Sequence, residues 1–220
     1  MSWYRKRGII INTNFDALLL ASGGMDSTVL AYWLKNQNKK VLPIFLDYGQ
    51  HFKDTELNSL KQLLPEEFKK DIRVIDISDI YKLSNSRMIK EPDLWKDDVS
   101  ADDLYLPYRN LLFLSIAASL AQTEKISEIY SAFINSNHAK EIDCSKEFFD
   151  NLGGLLENYG TVSIKMPFRY FSKKEVADLG ITLGVPISET FSCQASSTVH
   201  CGACPNCIDR LTALNSYSIS

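Results

Sequence analysis

The apolar run Ala17-Leu18-Leu19-Leu20-Ala21 passes directly into Ser22-Gly23-Gly24-Met25-Asp26-Ser27, and that turn opens onto Thr28-Val29-Leu30-Ala31-Tyr32-Trp33-Leu34. A short unbroken apolar run bounded by glycines reads as a strand buried on both faces, and the segment after the turn reads as a helix. A buried strand that hands over to a helix in this way is the opening unit of a sheet covered by helices. Such a turn also suits a phosphate. Glycines let backbone N–H groups approach an anion closely, and the first helical turn adds open donors and the positive end of its dipole. Ser22 and Ser27 can donate hydroxyls to the same oxygens, while Asp26 stands where it can hold magnesium or orient the loop.

The remaining chain continues the alternation. Val41-Leu42-Pro43-Ile44-Phe45-Leu46 is expected as a second buried strand, residues 55–64 as a helix, and Arg73-Val74-Ile75-Asp76-Ile77 as a third strand. Further helices are expected over 110–122, 146–159 and 173–183, and strands over 126–133 and 162–167. The first 15 residues, with Ile9-Ile10-Ile11, would add a strand or an arm. Residues 84–107 show no period and collect Asp97, Asp98, Asp102 and Asp103, which predicts a long mobile loop of the kind that often forms a lid. Strands separated by helices imply a mostly parallel sheet with right-handed crossovers and helices on both faces. Ligands bind at the carboxyl ends of such strands. The Ser22 loop, the segment after Leu46 and the turns after Phe133 and Met166 therefore belong to one edge.

A chain of 220 residues accommodates one α/β domain with a small appendage, placed at 1–190 and 191–220. Apolar residues at 45% and charged residues at 23% exclude disorder as the default. A net charge of −3 gives no broad positive face for nucleic acid, and Arg5, Lys6 and Arg7 read as a solvated surface. No apolar stretch reaches the roughly 20 residues that span a bilayer, and the start of the chain has no signal-peptide pattern. The expectation is a cytoplasmic protein without a membrane partner, where thiols stay reduced.

In that compartment the C-x7-C-x2-C-x2-C pattern of Cys193, Cys201, Cys204 and Cys207 reads as a metal site. Four thiolates suit closed tetrahedral zinc; an iron–sulfur cluster is the rival, because C-x2-C-x2-C also occurs in ferredoxins. His200 beside the cluster reads as a surface histidine, and Cys144, apart from it, as a packed core thiol.

The Ser22 loop lacks both the Gly-x4-Gly-Lys-Ser/Thr run and the Gly-x-Gly-x-x-Gly fingerprint. It resembles the SGGxDS loop of the PP-loop ATP pyrophosphatases, which holds the pyrophosphate leaving group while a substrate oxygen attacks the α-phosphorus. Further segments carry a closer resemblance: Leu46-Asp47-Tyr48-Gly49-Gln50, Arg109-Asn110-Leu111-Leu112-Phe113-Leu114, Asp143-Cys144-Ser145 before Glu147-Phe148, Lys173 with Glu175, and Glu189-Thr190 leading into Ser192-Cys193. Across nearly its whole length the chain resembles the 7-cyano-7-deazaguanine synthase family.

That resemblance implies a Rossmann-like, HUP-type α/β domain, a structural zinc on the four cysteines, and dependence on ATP and magnesium. Enzymes of the family adenylate the carboxylate of 7-carboxy-7-deazaguanine, let ammonia displace AMP to give an amide, and dehydrate the amide to a nitrile with a second ATP. Carried onto this sequence, Ser22, Gly23, Gly24, Asp26 and Ser27 would hold pyrophosphate, with Asp47 and Lys173 completing the ATP site. Asp26, Lys173 and Arg109 would be catalytic, and Tyr108, Arg109, Asn110, Phe133 and Asp143 would bind the acid. A homodimer is expected on the same ground.

Departures from the family pattern gather where the base should sit. Tyr108 stands where the family usually has the glycine of a Pro-Gly-Arg-Asn turn, Ser131-Ala132-Phe133 replaces Thr-Gly-Val, Asn135 to Ile142 stand in place of an Asp-Phe-Ser-Gly-Tyr-Pro-Asp segment with only Asp143-Cys144 retained, and Gln194 replaces a tyrosine. They motivate an alternative, a specialised relative of antiviral defence operons that passes the activated acid to a protein amine. A tRNA-thiolating enzyme would share the loop but needs a basic RNA-binding surface. A non-catalytic zinc module would explain the cysteines without explaining Ser22 to Ser27 or Lys173.

Overall fold

The computed structural model describes residues 14–97, 99–134 and 144–215. The expected N-terminal arm, Asp98, the altered segment from Asn135 to Ile142, and Asp143 lie outside the described residues. The strands are β1 (Ala17–Leu20), β2 (Val41–Asp47), β3 (Arg73–Asp76), β4 (Glu128–Tyr130) and β5 (Ser163–Lys165). The helices are α1 (Met25–Asn36), α2 (Lys53–Leu63), α3 (Glu66–Lys69), α4 (Arg109–Glu124), α5 (Lys146–Tyr159), α6 (Lys173–Thr182) and α7 (Pro205–Leu214). All strand pairings are parallel, in the order β3-β2-β1-β4-β5. The chain builds outward from β1 through β3 and then crosses back to lay β4 on the other side of β1. That reversal opens a crevice at the carboxyl ends of β1 and β4, the place where such sheets bind ligands.

Alternation along the strands sorts the core. Ala17, Leu19 and Ala21 join Val29, Leu30 and Leu34 of α1, Val176 and Ala177 of α6 and Ala213 of α7 on one face. Leu18, Leu42, Ile44 and Leu46 pack with Ala117, Ala118 and Ala121 of α4 on the other. Full burial of a Leu or Val side chain stabilises by about 1.5–3 kcal/mol, so either face loses its helix if this register slips by one residue. The small residues of α4 let it lie close over β1 and β4.

Three expectations need correction. Asp102–Glu124 is long and apolar enough to pass for a membrane span, contrary to the sequence reading. Its helical part packs Leu114, Ala117 and Ala121 fully into the core, which accounts for its hydropathy. Residues 84–107 are largely irregular, but they are tied down rather than loose. Arg87 pairs with Asp97 at 3.0 Å and its N–H donates to Asp103 O; Tyr81 Oη donates to Pro107 O. Met88, Leu104 and Leu106 enter a second core with Phe52, Phe191 and Cys193, Cys204 and Cys207. The cysteine tail is thereby continuous with this segment, while α7 packs on α6. Cys144, expected in the core, is half-buried at the crevice and accepts a hydrogen bond from Asn110 Nδ2 at 2.9 Å.

Candidate active site

The loop after β1 owes its shape to two glycines. Gly23 has φ +79°, and a Cβ there would stand 2.4 Å from Glu56 O and 2.7 Å from Leu60 N, so α2 packs against the loop only if the residue is glycine. Ser59 Oγ donates to Gly23 O at 2.8 Å and fixes that contact. Gly24 caps α1 without a side-chain bond, and the first helical bond runs from Thr28 N to Gly24 O at 3.0 Å. The N–H groups of Met25, Asp26 and Ser27 are therefore not used within the helix and form an anion cradle with the Ser22 and Ser27 hydroxyls. Those two oxygens lie 3.3 Å apart.

Lys173 reaches this cradle from the far end of the chain. Ser172 and Glu175 form a capping box, with Glu175 N donating to Ser172 Oγ at 3.2 Å and Ser172 N to Glu175 Oε2 at 2.7 Å, and this places Lys173 at the first position of α6. Its Nζ donates to both carboxylate oxygens of Asp26, at 2.8 and 2.6 Å. The pair puts a mobile cation and an acid at the mouth of an anion site, an arrangement that can neutralise phosphate charge as it develops.

Two adjoining cavities of about 220 and 340 Å³ occupy the crevice, and Ser22, Asp26, Glu56, Arg109, Asn110, Phe133 and Gln194 line both. The first is walled by Ala21, Ile44, Phe45, Tyr48 and Phe113 at the strand ends. The second runs between the loop, Lys173, Cys144 and the cysteine tail at Phe191, Ser192 and Asn206. Together they reach the size typical of small-molecule sites, the first mostly apolar and the second lined largely by polar and charged groups. Arg109 begins α4 and its Nη1 donates to Met88 Sδ at 2.9 Å, while Asn110 is almost wholly buried.

Of the residues expected at the site, the loop, Arg109, Asn110, Phe133 and Lys173 meet around these cavities. Asp47 and Tyr108 do not line either one. Asp47 Oδ1 accepts from Gly49 N at 3.0 Å and Oδ2 pairs with Lys53 at 3.3 Å, so its carboxylate serves the turn after β2. Tyr108 is 67% exposed and sits at φ +53° as the residue before α4, the left-handed region that a glycine occupies without strain.

Glu56 was not anticipated. It lies in the first turn of α2 and lines both cavities, and desolvation at the crowded cleft floor pushes its carboxyl up to about 8 against the lowering effects of Gln50 and Arg109. Gln50 Nε2 donates to Glu56 Oε2 at 3.1 Å; Gln50 is itself held by Tyr48 N and Leu46 O. The only trace in the sequence was the spacing of an acid six residues beyond Gln50.

The Sγ atoms of Cys193, Cys201, Cys204 and Cys207 all lie within 4.8 Å of one another, with Cys201 and Cys207 at 3.9 Å. Tetrahedral zinc with bonds of about 2.3 Å requires sulfurs about 3.8 Å apart, so the donor set fits that ion. Thiols of Cys193 and Cys207 hydrogen-bond to Cys204 and hold its thiol well below the usual range. His200 Nε2 accepts from Ser192 N at 3.1 Å and stands outside this set. Arg210, buried, donates to Thr190 Oγ1 at 2.6 Å and Ile187 O at 2.6 Å, and so clips α7 to the strap that precedes the first cysteine.

A family model described as Queuosine biosynthesis protein QueC matches residues 16–218. Similar curated proteins named 7-cyano-7-deazaguanine synthase include that of Campylobacter jejuni subsp. doylei, 31% identical over 89% of this chain and 91% of the relative. The protein of that name from Caldicellulosiruptor saccharolyticus is 32% identical over 92% of each chain, and that from Picrophilus torridus 34% identical over 89% of this chain and 85% of the relative. Among solved structures, a 4-thiouridine synthetase in complex with RNA and bound ATP aligns at a TM-score of 0.52 over 92% of this chain and 54% of that one. At 17% identity it shows a likeness of fold alone.

Proposed function

The chain belongs to the QueC family of queuosine biosynthesis proteins, and from that premise we propose that it is an ATP-dependent ligase of 7-carboxy-7-deazaguanine. In this reading it adenylates the acid, amidates it with ammonia and dehydrates the amide to 7-cyano-7-deazaguanine. The observation that carries it is the joining of an open anion cradle at Ser22–Ser27 with the Lys173–Asp26 pair, beside a cleft large enough for a nucleotide and a base.

The chemistry divides by residue. The backbone of Gly24 to Ser27 and the two serine hydroxyls bind the pyrophosphate that leaves as the acid attacks the α-phosphorus. Lys173, released from Asp26, stabilises the charge that builds on the phosphates, and Asp26 would then hold the accompanying magnesium, which would supply further neutralisation of that charge. Arg109 and Asn110 orient the acid, with Phe133 as an apolar wall for its ring. Cys193, Cys201, Cys204 and Cys207 would hold a structural zinc, which orders the tail against the cleft. On this reading residues 1–190 carry the ATP chemistry and 191–220 the metal.

Mass spectrometry after incubation with ATP, magnesium, 7-carboxy-7-deazaguanine and ammonium tests the proposal. The nitrile is the expected product. Pyrophosphate release that does not depend on the acid would overturn the substrate assignment. An amide joined to the protein with no nitrile would replace ammonia by a protein amine as the acceptor.

A further inference from the structure

We propose that Glu56 is the proton acceptor that converts ammonium to ammonia for attack on the activated carboxyl group. The inference rests on the ligase reading above and deepens it. An amine can attack an acyl carbon only as the free base, whereas ammonium predominates at neutral pH. A group within the cleft must then take its proton.

Among the described residues that line the two cavities, the carboxylates are Asp26 and Glu56. Asp26 is neutralised by Lys173 at 2.6 Å. Cys144 Sγ already accepts from Asn110. Glu56 lines both cavities, as Asp26 does, where a nucleophile could reach an acid lying between them, but its carboxylate accepts from the neutral Gln50 amide where that of Asp26 is taken up by a lysine, and unlike Cys144 it borders the first cavity as well as the second. Its geometry is fixed: Oε2 accepts from Gln50, and Gln50 is pinned through Oε1 to Tyr48 N at 3.0 Å and through Nε2 to Leu46 O at 3.3 Å. The charge that bears on it is the Arg109 guanidinium, and the other charged groups facing the same cleft, Asp26 and Lys173, are paired with each other. Burial holds the carboxyl up to about 8, close to the working pH, where a general base is most effective.

The step balances without a further reactant. The Glu56 carboxylate takes one proton from ammonium and becomes the neutral acid. The nitrogen lone pair of ammonia forms the C–N bond to the carboxyl carbon, the C–O bond to the adenylate phosphate breaks, and AMP leaves with its electron pair. The surplus proton on nitrogen and the proton on Glu56 pass to water in the cleft.

Glu56→Gln keeps the volume and an oxygen for the Gln50 bond while removing the base. The assay compares amide formed with acyl-adenylate formed, the latter read by acid-dependent exchange of pyrophosphate into ATP. At pH 7 the ratio of amide to adenylate should fall by about 100-fold or more, the usual scale of a general base. Hydroxylamine, which is a neutral nucleophile at pH 7 and needs no deprotonation, should restore acyl transfer to within a few-fold of wild type. Glu56→Asp, with its carboxylate drawn back by one methylene, should fall between the two. Parallel loss of adenylate and amide, an unchanged ratio, or failure of hydroxylamine to rescue would each overturn the role of Glu56. Absence of acid-dependent exchange in the wild-type protein would overturn the ligase reading instead.

Discussion

Glu56 also has a cost that can be measured without any substrate. Its carboxyl ionises near 4.5 in the unfolded chain and near 8 on the cleft floor, where desolvation dominates. Between those values the unfolded state has released a proton that the folded state retains, so stability falls as pH rises. The slope is about 1.4 kcal/mol per pH unit, which accumulates to about 3 kcal/mol by pH 7. Glu56→Gln removes this term. At pH 5 the folded Glu56 is neutral and the unfolded one has begun to ionise, so the two proteins should differ by less than about 1 kcal/mol, a few degrees at most. At pH 7 the variant should melt higher by roughly 6–12 °C, at about 2–4 °C per kcal/mol for a chain of this size. The assay is thermal unfolding followed by circular dichroism at pH 5, 6, 7 and 8 without ATP. His51, whose pKa burial lowers, and every other titrating group are common to both proteins and cancel in the difference. A gap that stays constant with pH would refute the argument, because it would show that Glu56 is already ionised in the folded protein.

Asp26→Ala should lower acid-dependent pyrophosphate release by at least about 100-fold with only a small change in melting temperature, because the side chain stands in the first turn of α1 at the cleft rather than in the core; retained activity would remove Asp26 from the site. Gly23→Ala should cost at least about 2 kcal/mol and weaken ATP binding together, since its Cβ would meet Glu56 O at 2.4 Å and φ is +79°; equilibrium unfolding and nucleotide titration check both effects. Cys204→Ser should lose bound zinc and also loosen the segment from Met88 to Leu106, because the cysteines share a core with it; elemental analysis and limited proteolysis read the two effects, and unchanged zinc would contradict the metal assignment. Tyr108→Gly should leave the melting temperature the same or raise it slightly, as relief of about 1 kcal/mol at φ +53° offsets the added freedom of the unfolded chain; a clear drop would mean that the tyrosine ring packs.

The sequence by itself determined the parts that depend on local periodicity and backbone chemistry. Ala17–Leu20, the glycine turn and α1 were legible because an apolar run, two glycines and a helix start lie side by side in the chain. Helix α5 was legible to the residue, since Ser145 accepts from Phe148 N and caps it as its position suggests. The four cysteines declared their cluster through spacing alone. Short strands were harder. The expected run from Ile126 to Phe133 narrows to Glu128–Tyr130 because Ser131-Ala132-Phe133 leaves the sheet to line the cleft. Helix α3 escaped notice because four residues carry too little period to detect.

Only the tertiary structure decided which charged groups meet. Lys173 and Asp26 are 147 residues apart in the chain, and nothing local distinguishes that lysine from Lys174, which pairs with Asp178 on the outer side of α6. Asp47 looked like part of the site yet turned to its own loop, whereas Glu56 looked like an ordinary helix acid and lines both cavities. Residues 84–107 looked mobile because their apolar positions follow no period; they are held by contacts to the cysteine tail and to Phe52, just ahead of α2, that only the folded chain creates. The physical reason is common to these cases. Secondary structure answers to neighbours within a few residues, but a pKa, an ion pair or a tethered loop answers to whatever the fold brings within a few ångströms.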